Sequence, residues 1–175
     1  IIDLHLADRQ LELANSPFDL AIRRDCQEAQ LEYLPLLTTR NLLVCSPEYA
    51  AGHGRLQRVE ELTAHRVLLR ERTRSRSWQE LLARAALQLG DLPDIRVLGN
   101  SFALLEAALA GWGIALLPDY LVQEPMAQGK LLELQLAQGE PITTPFYLAF
   151  YPSVATRLWA EQIQEAMLRQ HPISR

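Results

Sequence analysis

The chain has 175 residues, of which 49% are hydrophobic and 22% charged, and its formal net charge is -4. This composition is typical of a globular domain or two small lobes, and it argues against a chain-wide basic surface for nucleic acid or anionic membrane. No apolar run reaches the roughly 18 residues that a membrane span requires. Cys26 and Cys45 have neither metal nor redox spacing, so they indicate a reduced, cytoplasmic protein.

The first quarter of the chain predicts strands around a short helix. In residues 2–6, apolar and polar side chains alternate, as in a strand with one buried face. Asp8 can cap a short helix that Pro17 ends. Residues 18–22 are a short apolar run typical of a buried strand, and residues 42–45 repeat that pattern after a polar loop.

Helix-start signals dominate the middle of the chain. Ser46-Pro47 places an N-cap before a proline at the first helical position. After a strand at residues 67–69, Ser77 and Glu80 have the spacing of a capping box, and Gly90 is expected to end the helix that follows. The apolar side chains of that helix that share one face are Trp78, Leu81, Leu82, Ala85 and Leu89.

Strands and helices continue to alternate in the second half. A strand at residues 95–98 leads to a helix that Asn100 or Ser101 caps, and Pro118-Asp119 begins another helix. Further strands are predicted at residues 114–117, 130–134 and 146–151. A last helix at residues 153–169 is expected to turn one face inward, formed by Leu158, Trp159, Ile163, Ala166 and Met167. This alternation predicts an α/β fold with a largely parallel sheet, in two lobes.

Several segments, in this order and at this spacing, resemble the effector-binding domain of LysR-type transcriptional regulators. They are residues 3–9 with 18–23, 43–49, 61–65, 107–118, 129–131 and 146–153. The order and spacing across nearly the whole chain carry the resemblance more than any single segment does.

The resemblance implies a fold like that of type 2 periplasmic binding proteins. Two Rossmann-like α/β lobes would be joined by two crossing strands, with a small-molecule effector between them. Lobe I would comprise residues 1–45 and 146–175, and lobe II residues 46–145. The crossings would fall near residues 44–46 and 144–146.

The resemblance also implies that pieces of the regulator lie outside this sequence. Because Ile1 is not a natural start residue, we expect a fragment, without the family's opening strand and helix. An N-terminal winged helix-turn-helix would bind DNA, and the protein would form a homodimer or homotetramer in the cytoplasm. No cofactor and no membrane are expected. The alternative is a free-standing solute-binding protein of the same fold.

Effector contacts are expected at strand ends and helix starts, where backbone N–H groups favour anions or carboxylates. Asn100, Ser101 and Phe102 begin a helix after a strand, and Asn100 or Ser101 could equally be an ordinary N-cap. Cys45 and Ser46 lie at the expected first crossing, where they could form only a hinge and a helix cap.

Arginines and a tyrosine complete the expected site. Arg23 and Arg24 follow the strand at residues 18–22 and favour an anionic effector, although they could also be solvent-facing loop residues. Arg70 follows another strand and could enter the cleft. Tyr151, or Tyr147 on the same strand, could reach the effector or pack with its hydroxyl at the rim.

Other functional classes find no support in the sequence. There is no nucleophile elbow, phosphate-binding glycine loop or dinucleotide fingerprint, so no motif argues for an enzyme. The four histidines have no second ligand at helical spacing, which argues against a metal site. The arginine-rich segment at residues 70–76 is expected to be a solvated loop rather than a DNA contact. Cys26 and Cys45 are not expected to form a thiol switch.

Overall fold

The computed structural model of the chain describes residues 3, 5, 12–24, 26–54, 56–70, 76–136 and 139–170. The described strands are β1 (Leu20–Arg23), β2 (Glu32–Cys45), β3 (Arg66–Arg70), β4 (Asp94–Leu98), β5 (Ile114–Pro118), β6 (Leu132–Glu133) and β7 (Ile142–Phe150). The described α-helices are α1 (Pro47–His53), α2 (Arg76–Ala83), α3 (Ser101–Leu109), α4 (Asp119–Ala127) and α5 (Val154–Gln170). The strand predicted at residues 2–6 and the helix start at Asp8 lie outside the described residues.

The chain packs into two compact units. Unit 1 combines the chain up to Thr38 with the chain from Thr144 onward, and unit 2 is Thr39–Thr143. The division at Thr143/Thr144 is close to the expected return crossing. The other division, at Thr38/Thr39, precedes residues 44–46, where the first crossing was expected, and the expected lobe boundaries stay predictions. The division precedes those residues because β2 is one continuous strand whose second half, at Asn41–Val44, pairs with β5 in unit 2.

Unit 1 contains β1, β7 and the first half of β2, in that order, with β1 antiparallel to β7. Ala160 of α5 is fully buried, and Ile163 and Met167 lie on the same stripe, against Leu148 and Phe150. This stripe does not include Leu158, Trp159 or Ala166. All three are exposed, contrary to the prediction. Another correction concerns β1: Ile22 is 55% exposed, so the apolar run at residues 18–22 is not buried throughout.

Unit 2 is built on the strand order β2-β5-β3-β4, with β6 beside β2. The strands β3, β4 and β5 are parallel, as predicted, whereas β2 and β6 are antiparallel to their neighbours. Because successive side chains of a strand point to opposite faces, β3 feeds two cores. Val67 and Leu69 pack with Trp78 on one face, and Leu68 packs with Leu104 on the other. Full burial of each such side chain contributes roughly 1.5–3 kcal/mol.

The second helix of unit 2 differs from its prediction at both ends. Ser77 lies inside α2, which begins at Arg76, so it is not the N-cap of that helix. The helix ends at Ala83 rather than near Gly90, because Ala86 adopts a left-handed conformation with φ 54°. The Leu87 N–H then bonds to the Leu82 carbonyl at 2.9 Å. This is a Schellman turn with alanine at the position that usually holds glycine.

The parallel strands of unit 2 end at one edge of its sheet, which we term the carboxyl edge. Arg70 at the end of β3 is paired with Leu98 of β4, and Pro118 at the end of β5 is paired with Asn41 of β2. The side-chain amide of Asn41 donates to the carbonyl of Ile142 at 3.3 Å. The strands that connect the units, β2 and β7, therefore both join unit 2 at the carboxyl edge.

Candidate functional site

The start of α3 lies directly after β4 at the carboxyl edge. Asn100 is the N-cap, and its Oδ1 accepts the N–H of Ala103 at 2.9 Å, as one of the two predicted caps requires. Ser101 and Phe102 are the first helical residues, so their N–H groups have no acceptor within the helix. The Phe102 side chain is 61% exposed. This helix start therefore offers amide donors, a hydroxyl and an aromatic surface.

Arg70 adds an uncommitted donor to the same edge. Its Nε is buried and has no hydrogen-bond partner in the described part of the chain. Leaving a buried donor unpaired costs about 1–3 kcal/mol, so a ligand acceptor placed here would relieve that cost. Arginine also presents its N–H groups as a planar fork that fits a carboxylate.

Asp119, which sequence reasoning did not identify as part of the site, lies at the other side of the carboxyl edge. Asp119 begins α4, and its Oδ1 accepts the N–H of Tyr120 at 2.9 Å. Its Oδ2 accepts the N–H of Arg40 from β2 at 3.3 Å. The Pro118-Asp119 pair signalled a helix start, but nothing local in the sequence signalled the contact with Arg40.

Cys45 and Ser46 do not join this edge. The strand rises about 3.3 Å per residue, so Cys45 lies about 13 Å along β2 from Asn41. Ser46 is buried, and its Oγ accepts the N–H of Tyr49 at 3.1 Å, which makes it the N-cap of α1. Cys45 is buried, and burial raises the pKa of its thiol to about 11. The division between the units lies at Thr38/Thr39 rather than beside these residues, and effector contacts by Cys45 and Ser46 stay predictions.

In unit 1, the structure places Arg23 and Tyr151 at opposite ends of the β1–β7 pair. Arg23 is paired with Tyr147, and its Nη2 lies 3.9 Å from Oε1 of Glu28. Arg24 is exposed. Tyr151 follows β7 at the end distant from Thr144, where it is partly buried beside Leu13, Leu31 and Ala149. Effector contacts by Arg23, Arg24 and Tyr151 stay predictions. Of the two tyrosines considered, Tyr147 is the one paired with Arg23.

The described residues also bear on metal binding, membrane insertion, thiol chemistry and the arginine-rich segment. Within the described ranges, no group of three or more His, Cys, Asp and Glu residues could hold a metal ion. None of the helices in those ranges is long and apolar enough to cross a membrane. Cys26 is exposed and Cys45 buried, and both are free thiols. Of the arginine-rich segment, residues 71–75 lie outside the described part of the chain.

A cluster of buried Tyr49 and His65 with exposed His53 also escaped sequence reasoning. The rings of Tyr49 and His53 stack with centroids 4.2 Å apart, and the Tyr49 hydroxyl lies 3.4 Å from Nδ1 of His65. Burial lowers the pKa of His65, and the charge of His53 lowers it further, while Glu61 acts in the opposite direction. The histidines are scattered in the sequence, and only the packing of α1 against the start of β3 brings them together.

The comparisons with known proteins agree on one family. The LysR substrate binding domain model matches residues 2–168. The HTH-type transcriptional regulator CrgA of Neisseria meningitidis is 30% identical over 159 residues, which are 90% of this chain and 52% of that protein. The chain therefore spans about half the length of the curated relatives it matches.

Solved structures show the same fold. The CrgA regulatory domain of Neisseria meningitidis superposes with a TM-score of 0.65 and 27% identity, covering 85% of this chain and 75% of that one. The effector domain of AmpR from Pseudomonas aeruginosa gives a TM-score of 0.69 at 23% identity, covering 92% and 77%. These neighbours have the type 2 periplasmic-binding-protein-like fold. The chain belongs to the LysR substrate binding domain family, the effector-binding domains of LysR-type transcriptional regulators.

Proposed function

We propose that this chain senses a small-molecule effector through the carboxyl edge of unit 2, and that it has no catalytic role. The observation that carries the proposal is the conjunction of the α3 start with Arg70. Unpaired amides at Ser101 and Phe102 lie one strand away from a buried, unpartnered guanidinium N–H. Such donors favour a carboxylate or another anion.

The regulator context comes from the relatives. They are named HTH-type transcriptional regulators, which favours a regulator over a free-standing solute-binding protein. We propose that the intact protein binds DNA through a helix-turn-helix segment, forms a homo-oligomer and acts in the cytoplasm. The effector would bind one arrangement of the regulator more tightly than another, and this difference in affinity would shift the equilibrium between the arrangements.

Two steps test the effector site. A thermal-shift screen of amino acids, aliphatic carboxylates and aromatic acids identifies a ligand, whose affinity is then measured by calorimetry for wild type and Ser101→Ala. Loss of one hydrogen bond is expected to weaken binding about three- to tenfold, since such a bond contributes about 0.5–1.5 kcal/mol. Thr63→Ala is the matched control, because it removes an exposed hydroxyl that lies before β3, at the opposite edge. Equal affinities for wild type and Ser101→Ala would refute the proposed site.

A further inference from the structure

Two helix starts at the carboxyl edge of unit 2 differ in charge. The α3 start has a neutral cap, Asn100, and no acidic residue in its first turn, so the positive end of its helix dipole attracts an anion. The α4 start carries a carboxylate, because Asp119 is the first residue of that helix. A carboxylate at this position offsets the helix dipole. An anionic group of a ligand is therefore favoured at α3 and disfavoured at α4.

Arg70 and Asp119 lie on the same face of the sheet. Leu68 belongs to the core that α3 and α4 form on one face of unit 2. Arg70 points to that face as well, because it lies two residues further along β3 and successive side chains of a strand alternate. Asp119 begins α4, which packs on the same face through Val122. Two side chains of opposite charge thus share one face of the carboxyl edge.

The strand register sets the distance between these two residues. Leu68 of β3 is paired with Ala115 of β5. The same register places Arg70 level with Leu117, two residues before Asp119. Neighbouring strands lie about 4.8 Å apart and rise about 3.3 Å per residue, so the Cα atoms of Arg70 and Asp119 are about 8 Å apart. One small molecule can therefore contact both side chains.

The carboxylate of Asp119 can accept further hydrogen bonds. Its Oδ1 accepts the backbone N–H of Tyr120 and its Oδ2 accepts that of Arg40, so neither contact is with a cationic side chain. A carboxylate offers about four acceptor positions, which leaves about two for a ligand. Asp119 is also partly exposed. An ammonium group is the complementary donor, since charge-assisted hydrogen bonds are about twice as strong as neutral ones.

We infer that the effector is an amino acid, an inference that rests on the proposed effector site and names its ligand class. The carboxylate lies between the α3 amides and Arg70, and the ammonium group donates to Asp119. A dicarboxylate would instead place its second anion against Asp119, where like charges repel. A simple carboxylate would leave Asp119 without a ligand partner.

Matched pairs of ligands test this class by calorimetry on the 175-residue protein. The probes are the twenty proteinogenic L-amino acids and the ω-amino acids from β-alanine to 6-aminohexanoate. Each is compared with the carboxylic acid in which a hydrogen replaces the amino group. At least one amino acid is expected to bind, and to bind at least tenfold more tightly than its matched acid. Equal affinities within the pairs that bind, or binding by none of the amino acids, would overturn the inference.

Two variants assign the ammonium group to Asp119. Asp119→Asn keeps an oxygen for the Tyr120 N–H but removes the charge. It is expected to weaken binding of the amino acid at least tenfold without weakening binding of the matched acid. Glu124→Gln is the control, because it removes the same charge from an exposed side chain of the same helix, and it should change neither affinity. Equal weakening by both variants, or of both ligands by Asp119→Asn, would contradict the ammonium site. Should Asp119→Asn fail to fold, the matched pairs decide the question on wild type.

The same titrations separate the ligand class from the effector site. Ser101→Ala should weaken binding of both members of a pair, because both carry the carboxylate, whereas Asp119→Asn should weaken only that of the amino acid. If Ser101→Ala weakened binding and Asp119→Asn did not, the amino-acid class would be overturned and the effector site would stand. Equal affinities for wild type and Ser101→Ala would overturn the effector site and the inference with it.

Discussion

The Tyr49 hydroxyl accepts the backbone N–H of Arg66 at 2.9 Å, and this contact ties α1 to the first residue of β3. The same hydroxyl lies 3.4 Å from Nδ1 of His65, while the ring stacks on His53. His53 in turn donates from Nδ1 to the Tyr49 carbonyl at 3.1 Å. One tyrosine thus satisfies a backbone donor and orders two imidazoles at the edge of unit 2 opposite the carboxyl edge.

Tyr49→Phe should destabilise the protein by about 1–2 kcal/mol, because the partly buried Arg66 N–H loses its acceptor while the ring packing is retained. The free energy of unfolding, measured with urea, checks this value. Tyr151→Phe is the matched control, since no side-chain hydrogen bond of Tyr151 is found among the described residues, and a change below about 0.5 kcal/mol is expected there. Equal effects of the two substitutions would contradict the anchoring role of Tyr49.

The pH dependence of stability should reflect His65. Burial is the main cause that lowers its pKa in the folded protein, so the unfolded chain binds the proton more readily. The free energy of unfolding should therefore fall as pH drops below the unfolded value of about 6.5, toward the lower folded pKa. The loss approaches about 1.4 kcal/mol for each unit by which the folded pKa is lowered.

Urea unfolding at pH 7.5, 6.5 and 5.5 measures this dependence. His65→Asn should show a shallower loss of stability toward pH 5.5 than wild type does. His5→Asn, which removes an exposed imidazole, should keep the wild-type slope. If His65→Asn and wild type lost stability in parallel, His65 would not be the responsible group.

Local signals predicted much of this fold, because caps and short buried strands depend on neighbouring residues. Asn100 caps α3 and Ser46 caps α1, as their sequence context indicated. The extent of β2 could not be read in this way. Pro35 interrupts its apolar pattern, and pairing with distant β5 defines its second half. The inward face of α5 was missed for a similar reason, since Leu158 and Ala160 are both apolar and only packing selects between them.

The candidate site was predictable only in part. The helix start at Asn100 followed from residue types, and Arg70 from its position after a strand. Two features of the site depend on strands that are far apart in sequence. The Arg70 Nε is buried without a partner among the described residues, and Asp119 accepts the N–H of Arg40. Ser46 shows the limit of such signals, because a hydroxyl at a helix start has the same sequence pattern whether or not it faces a ligand.

Ala86→Gly should stabilise the protein by about 0.5–1 kcal/mol, because a left-handed conformation strains an L-residue but not glycine. The opposite result is expected for Ala83→Gly, which places glycine within the last turn of α2 and should cost about 0.5–1 kcal/mol. Thermal and urea unfolding of the two variants give the signs. A destabilised Ala86→Gly would show that Ala86 does not have the conformation described.

Gly113, just before β5, should not tolerate a side chain. A Cβ there would lie 2.6 Å from the backbone carbonyl oxygen of Arg66, which cannot move aside without displacing the start of β3. Gly113→Ala should therefore cost about 1–3 kcal/mol, as overpacking usually does. Gly52→Ala is the contrasting control: a Cβ at Gly52 would meet no atom within 4 Å, and a helical alanine should stabilise α1 by about 0.5–1 kcal/mol. Urea unfolding of both variants decides the point. If Gly113→Ala were as stable as wild type, the close approach of β5 to β3 would not explain why a glycine stands at position 113, within the segment 107–118 that resembles LysR-type regulators.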